Sequence, residues 1–443
     1  MISELFKELK KQIKSESALK KRLVNNLLWS FAGTSFFNLT ALISSIIVAR
    51  FLGSTIFGEL GIINSTLLMF SVFAGLGLGL TSTKHIAEFR NTDPIKTGKI
   101  IGMSHVVSLI SGIAIAASLF IFAPWLCDKT LNAPGLAGAL RVSSFILVLN
   151  AFNGSLTGAI TGFEAFNKTA LINLVLGLLN LPAFVLGVKI WGLFGAIYAM
   201  LLLAFIGTVL NYILLMKIAL KNNVIIRYSG LASEYSVLWK FSVPALLSSL
   251  LVMPVMWITQ AFLVNKPGGY HEMGIFNAAN QWRSLILFIP NIASQVILPV
   301  ISNLYGEGDF RSYKKTLAAN FALTALLAIV CWAAVAAFSY LIMGSYGKDF
   351  IGGRLTLIVL CFSAVFHVMG IVGGQVIVST GKMWDSLLIN TIWAAAMIVS
   401  AYYLSGMGSI GLAWSYLIAY FVLFITAAFY VSAHFNRLAQ TKL

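Results

Sequence analysis

Arg283 sits inside a long apolar run, residues 273–304, and follows Asn277, Asn280 and Gln281. A charge in hydrocarbon is costly and normally faces a cavity or a partner. The group therefore predicts a hydrated helix face that lines a binding cavity, or else a cation paired with a carboxylate from another helix. Nothing comparable points to covalent chemistry. His105 and His367 lie in separate apolar runs without metal-ligand spacing, and read as core histidines rather than a proton relay. No paired carboxylates or Ser/His/Asp arrangement can be assembled. The loop 124–140 holds one acid, Asp128, and one basic residue, Lys129. The expectation is a binding protein rather than an enzyme, with no cofactor and no metal.

The elements that must position Arg283 are set by composition. Of 443 residues, 59% are hydrophobic and 10% charged, with a mean hydropathy of +0.90. Soluble domains carry roughly a quarter charged residues, so the chain reads as a membrane protein. About 20 apolar residues make one crossing, and twelve runs qualify: 25–49, 57–82, 99–123, 142–162, 169–188, 191–216, 238–264, 273–304, 317–343, 355–380, 384–404 and 410–433. Open strands would leave backbone groups unsatisfied in lipid. The fold class expected is thus an all-α polytopic membrane protein with twelve transmembrane helices. Cys127, Cys331 and Cys361 are too few and too scattered for a disulfide framework.

Charge tests the count. Lys and Arg total 30 against 14 acids, a formal net charge of +16. In a soluble protein that excess would suggest nucleic acid. With the N-terminus in the cytoplasm, however, 22 basic residues fall on the inside, 7 on the outside, and Arg283 remains within a span. Basic residues are retained on the cytoplasmic side, so the split supports twelve crossings with both termini inside, and no nucleic-acid partner. Residues 1–22 contain no apolar signal-peptide core. Ile2, Leu5, Phe6, Leu9 and Ile13 recur at helical spacing opposite four lysines, which fits an amphipathic surface helix or a solvated tail.

The two halves repeat. Glu59-Leu-Gly61-Ile62-Ile-Asn64 matches Glu272-Met-Gly274-Ile275-Phe-Asn277 at an offset of 213 residues. Gly192 and Gly195 match Gly408 and Gly411 at 216, and Leu171-Ile172-Asn173 matches Leu388-Ile389-Asn390 at 217. This divides the chain into a segment 1–22, a lobe 23–216, a cytoplasmic linker 217–237, a second lobe 238–433 and a tail 434–443. Six crossings per lobe give both the same orientation, related by a pseudo-two-fold axis along the membrane normal, as in two-lobed transporters. Gly75, Gly77 and Gly79 in the second span have Pro290 at the corresponding place in the eighth, with Pro299 further on, and Pro244 and Pro254 interrupt the seventh. These positions mark helix bends or close packing at small residues. The glycines do not form a nucleotide loop, since no strand precedes them.

The stretch Ala49-Arg50-Phe51-Leu52-Gly53-Ser-Thr-Ile-Phe57-Gly58-Glu59 resembles a signature of bacterial polysaccharide flippases. These belong to the multidrug/oligosaccharidyl-lipid/polysaccharide (MOP) exporter superfamily. Asn25-Asn26-Leu-Leu-Trp29, the glycine series and Lys84-His-Ile86-Ala87-Glu88 look like the same family. The resemblance implies a flippase that moves an undecaprenyl-pyrophosphate-linked oligosaccharide, such as an O-antigen unit, across the inner membrane. It also implies membrane lipids and polysaccharide assembly proteins as partners. Such a headgroup needs cations, hydrogen-bonding groups and aromatic faces. Arg50 could hold the pyrophosphate or gate the outer mouth, or snorkel to the headgroups. Arg141 and Arg354 read as interfacial anchors. Asn38, Asn150, Asn153, Asn173, Asn180, Gln260, Gln295, Gln375 and Asn390 could bond between helices or contact sugar hydroxyls, and Asn38, Asn153 and Gln260 join the candidate cavity set. Trp257 and Trp282 could stack on sugars or pack, while Glu59 and Glu272 read as structural, as helix-start caps or partners of a nearby arginine. The rival readings are a peptidoglycan-precursor flippase and a cation-coupled multidrug exporter. The second would need an intramembrane acid, and none falls near the centre of any span.

Overall fold

A helix satisfies its own backbone in lipid, and the apolar runs use that solution throughout. The computed structural model describes residues 18–230, 251–380 and 382–440, and all regular elements among them are helical. They are α1 (Ala18–Gly75), α2 (Leu78–Phe89), α3 (Pro94–Lys129), α4 (Ala137–Gly162), α5 (Phe166–Lys221), α6 (Val252–Val264), α7 (Gly269–Gly306), α8 (Phe310–Ala337), α9 (Ser339–Tyr346), α10 (Arg354–Ser379), α11 (Met383–Leu404) and α12 (Ser409–Gln440). The expected amphipathic segment lies outside the described residues up to position 17.

Eight described segments are long and apolar enough to cross a membrane. Two of them, Phe31–Gly75 and Phe166–Lys221, have 45 and 56 residues. At a rise of 1.5 Å per residue they are roughly two and nearly three times as long as a 30 Å hydrocarbon layer is thick. Both turn at a glycine in a positive-φ conformation, Gly53 (φ 74°, ψ 170°) and Gly192 (φ 56°, ψ −127°). The breaks expected near 49–57 and 188–191 are therefore present as sharp kinks, where two helices join directly at a non-helical glycine without an intervening loop. The seventh expected span falls partly outside the described residues. The eighth corresponds to α7, whose Asn, Gln, Arg and Pro content lowers its hydropathy.

The span expected over 57–82 is interrupted. It ends at Gly75, Leu76 (φ 46°) and Gly77 (φ 67°) turn the chain, and α2 begins at Leu78. Of the glycine series, Gly79 packs closely, whereas a Cβ on Gly75 would meet open space. A Cβ on Gly158 would strike the Gly79 backbone, and Thr83 Oγ1 donates to the Gly158 carbonyl at 3.0 Å. At Pro290 and Pro299, by contrast, α7 runs on to Gly306 without a break. Neighbouring groups can re-satisfy the backbone that a proline frees in a membrane helix.

The chain packs as two compact units. One comprises Met1–Ser45, Phe70–Ile121 and Arg141–Leu247; the other comprises Ile46–Met69, Phe122–Leu140 and Ser248–Leu443. In the first, Ile86, Ile100, Leu156, Ile160 and Leu215 form a buried core from α2 to α5. In the second, Ile301, Tyr313, Leu317, Val372 and Val376 join α7, α8 and α10. Lipid tails are as apolar as leucine, so van der Waals fit rather than water exclusion holds such helices together.

Local geometry echoes the sequence repeat. Gly408 (φ 74°, ψ −149°) adopts nearly the conformation of Gly192, its partner 216 residues earlier. Asp93 Oδ1 accepts from Lys96 N at 2.9 Å, and Asp309, also 216 residues on, accepts from Ser312 N at 3.0 Å. Each caps the helix that follows it. Glu272, expected to be structural, caps the start of α12: its Oε2 accepts from Ser409 N at 2.7 Å. A carboxylate at a helix N-terminus stabilises by charge as well as by hydrogen bonding, about 1–2 kcal/mol. Glu272→Ala is expected to lower the thermal unfolding temperature in detergent by several degrees, and Glu272→Gln to recover part of it. An unchanged melting curve for both variants would show that the cap contributes nothing.

Candidate functional site

Within the second unit, α7 carries Asn277, Asn280, Gln281 and Arg283 towards neighbouring helices. Positions three and four apart share a helix face, so Asn277, Asn280 and Gln281 recur along one side with Arg283 one turn beyond Asn280. The same spacing operates opposite: α10 presents Ser363 and His367, and α12 presents Tyr416 and Tyr420. Arg283 is 5% exposed. Its Nε donates to Ser363 Oγ at 3.0 Å, and an Nη lies 3.0 Å from His367 Nδ1. Its guanidinium carbon lies 4.7 Å from the ring centre of Tyr420 and 5.2 Å from that of Tyr416. His367 stacks on Tyr420, with centroids 4.1 Å apart and planes 20° apart.

This geometry fixes a protonation state. Arginine nitrogens only donate, so His367 Nδ1 must accept, and the ring is neutral with its proton on Nε2. Among the described residues no Asp or Glu forms an ion pair with Arg283. The partner carboxylate allowed for by the sequence is absent there. Hydroxyl and imidazole dipoles and two ring faces hold the cation instead, the last by cation–π attraction. The charge is solvated but not neutralised.

Unsatisfied polar atoms accompany it. Asn277 Nδ2, Asn280 Oδ1 and Gln260 Oε1 are buried without a hydrogen-bond partner, an arrangement that calls for an explanation wherever it occurs. Gln260, 7% exposed on α6, does bond the Tyr416 hydroxyl. Gln281 is engaged structurally: Tyr346 donates its hydroxyl proton to Gln281 Oε1 at 3.1 Å, and Trp282 Nε1 donates to the same hydroxyl at 3.2 Å. Trp257 is also committed, donating to Thr66 Oγ1 at 2.9 Å.

The remaining candidates stand elsewhere. Arg50 is exposed, and its Nε donates to the Ser345 carbonyl at 2.5 Å, in the last turn of α9. A guanidinium there complements the carbonyl end of the helix. Asn38 and Asn153 belong to the first unit. Asn38 is half-buried, and Asn153 Oδ1 accepts from Asn211 Nδ2 at 2.9 Å, tying α4 to α5. Arg354 donates to Ser339 Oγ at 3.0 Å. Sequence reasoning missed Ser363, Tyr416 and Tyr420 and read His367 as core. Only their one-turn spacing could have paired them.

A family model described as polysaccharide biosynthesis protein matches residues 23–305, well over half of the chain. The chain belongs to this family. The matched stretch includes both the 49–59 signature and Arg283. The EPS I polysaccharide export inner membrane protein EpsE of Ralstonia solanacearum is 22% identical over 400 residues, 87% of this chain and 88% of that protein. The lipid III flippase of Escherichia coli is 22% identical over 411 residues, covering 90% and 95%. Among solved structures, an inward-facing multidrug resistance MATE family transporter of the MOP superfamily superposes with a TM-score of 0.76 at 16% identity, covering 94% of this chain and 100% of that one. A MOP superfamily transporter from Pyrococcus furiosus gives 0.63 at 19%, covering 93% and 96%. At these identities the structural likeness is one of fold. This family member is a multi-pass membrane protein, and its named relatives are an exporter and a flippase.

Proposed function

We propose that the protein flips an undecaprenyl-pyrophosphate-linked oligosaccharide, a polysaccharide repeat unit, from the inner to the outer leaflet of the bacterial inner membrane. Twelve crossings with both termini in the cytoplasm would form two six-helix lobes, 23–216 and 238–433, which rock about a central hydrated cavity. The lobes would give alternating access, and the polyprenyl tail would stay in lipid. The observation that carries this reading is Arg283: a buried cation with no Asp or Glu partner among the described residues, set against two aromatic faces. Its helix also carries buried amide atoms without a hydrogen-bond partner at Asn277 and Asn280. A sugar pyrophosphate supplies what is missing, since its phosphates offer negative charge and its hydroxyls bond to amides. The exporter and flippase among the relatives support the substrate class. The same cation argues against a drug exporter selecting cationic compounds, which would be repelled.

The test is reconstitution. Proteoliposomes loaded with a lipid-linked oligosaccharide, probed by a membrane-impermeant lectin, should show protein-dependent exposure of the initially inner pool. A labelled phosphatidylcholine in the same vesicles should remain unmoved. Equal movement of both lipids would mark a nonselective scramblase, and movement of neither would end the flippase reading.

A further inference from the structure

The first unit carries a feature that Arg283 does not use. Helices α3, α4 and α5 enclose a groove of about 970 Å³ between Ile113, Phe120, Val148, Tyr198, Leu202 and Phe205. That is the upper end of the roughly 300–1,000 Å³ typical of small-molecule sites. Phe120, Phe145 and Leu202 are 41%, 55% and 51% exposed, so the groove opens at the protein surface, where a membrane helix meets lipid. Its walls are apolar almost throughout, the exceptions being the Ser144 hydroxyl and the Tyr198 phenol. The Ser144 hydroxyl is already spent, donating to the Arg141 carbonyl at 2.7 Å.

One end of this groove is charged. Arg141, exposed on the first turns of α4, donates from Nε to the Phe120 carbonyl at 3.3 Å, and its guanidinium carbon stands 5.3 Å from the Phe120 ring centre. Phe120 is itself a wall of the groove. Arg141 thus has an orientation set by its neighbour and retains free donors in a fork suited to a phosphate. No Asp or Glu among the described residues pairs with it. An apolar trough with a cation at its rim complements an extended hydrocarbon chain ending in a phosphate.

We propose that this groove binds the polyprenyl chain of a polyprenyl phosphate, with Arg141 on the phosphate nearest the chain. The proposal rests on the flippase reading for its choice of lipid. It holds the substrate tail at the lipid-facing surface of the first unit, while Arg283 belongs to the second. Bulk phospholipid can cover any apolar helix face, whereas a trough of this size with one fixed cation selects for chain shape and charge together.

The experiment is competitive binding to the intact protein by native mass spectrometry, with undecaprenyl phosphate and phosphatidylglycerol in equal amounts. Undecaprenyl phosphate should be retained preferentially by the wild type. Arg141→Gln should cut its retention about tenfold, the loss of one charge-assisted contact. Ala117→Trp, which fills the trough from an exposed wall position, should abolish the preference while leaving the protein folded. Arg354→Gln, which removes a basic residue of the second unit, should bind like wild type. Equal retention of the two lipids by the wild type, or wild-type retention by both groove variants, overturns the proposal. Binding is read without transport, so a failed translocation assay with intact polyprenyl selectivity would sink the flippase reading alone.

Discussion

Arg283→Ala is expected to slow translocation of lipid-linked oligosaccharide about 100-fold, and Arg283→Lys to retain part of the activity. The magnitude follows from the contacts. Hydrogen bonds to a charged group contribute about 1.5–3 kcal/mol in the interior, and each 1.4 kcal/mol is tenfold. Lysine preserves the positive field but not the planar fork that reaches Ser363 and His367 from two directions. Partial rescue by lysine would mean that charge dominates geometry. A purely structural arginine predicts something different. The cost of breaking a buried ion pair is the stranded partner charge, and Arg283 has no such partner among the described residues. Arg283→Met should therefore leave the melting temperature in detergent near wild type while abolishing transport. If Arg283→Met and Arg283→Ala both transport normally in the reconstituted assay, the cation has no part in the substrate path. If both lose transport only in proportion to lost folded protein, its role is structural.

How much of this was legible beforehand differs between fold and site. The helical class and the positions of most spans followed from hydropathy, because lipid leaves the backbone only that form. The kinks at Gly53 and Gly192 were not legible as kinks. A polar break in the sequence suggests a loop, yet a glycine can change φ to positive values without a steric penalty and let helical hydrogen bonding resume on either side. Leu76 shows the converse, since a residue with no turn signal occupies φ 46° where the second span breaks. In the site, Arg283 announced itself as a charge in an apolar run. Its partners did not: Ser363, His367, Tyr416 and Tyr420 lie 80 or more residues away and are ordinary constituents of membrane helices. That no described Asp or Glu pairs with Arg283 is a tertiary fact that no local pattern encodes. Glu272 was readable as structural from its place in the repeat, but its recipient, the amide of Ser409, required the fold.

The repeat motif leads to the second large effect. In the second unit its two copies meet: the part of α1 after Gly53 crosses the start of α7 with backbone against backbone. A Cβ on Gly274 would strike the Ser54 carbonyl, one on Gly58 the Tyr270 carbonyl, and one on Gly61 the side-chain amide of Asn277. Ser54 Oγ and His271 Nδ1 hydrogen-bond across the same crossing at 2.6 Å. Small residues permit such approach, and a carbonyl cannot rotate aside as a long side chain can. Gly274→Leu should therefore cost about 3 kcal/mol or more, the upper end of overpacking penalties, and yield little folded protein by size-exclusion chromatography in detergent. Gly274→Ala and Gly58→Ala should be milder but still lower the melting temperature. Gly61→Ala should cost least in stability, because Asn277 can move, and should instead impair transport by displacing a buried amide of the helix that carries Arg283. The sign makes the alanine variants decisive. Helix propensity alone favours alanine over glycine by about 1 kcal/mol, so a rise in melting temperature for Gly274→Ala would show that the two helices do not touch there.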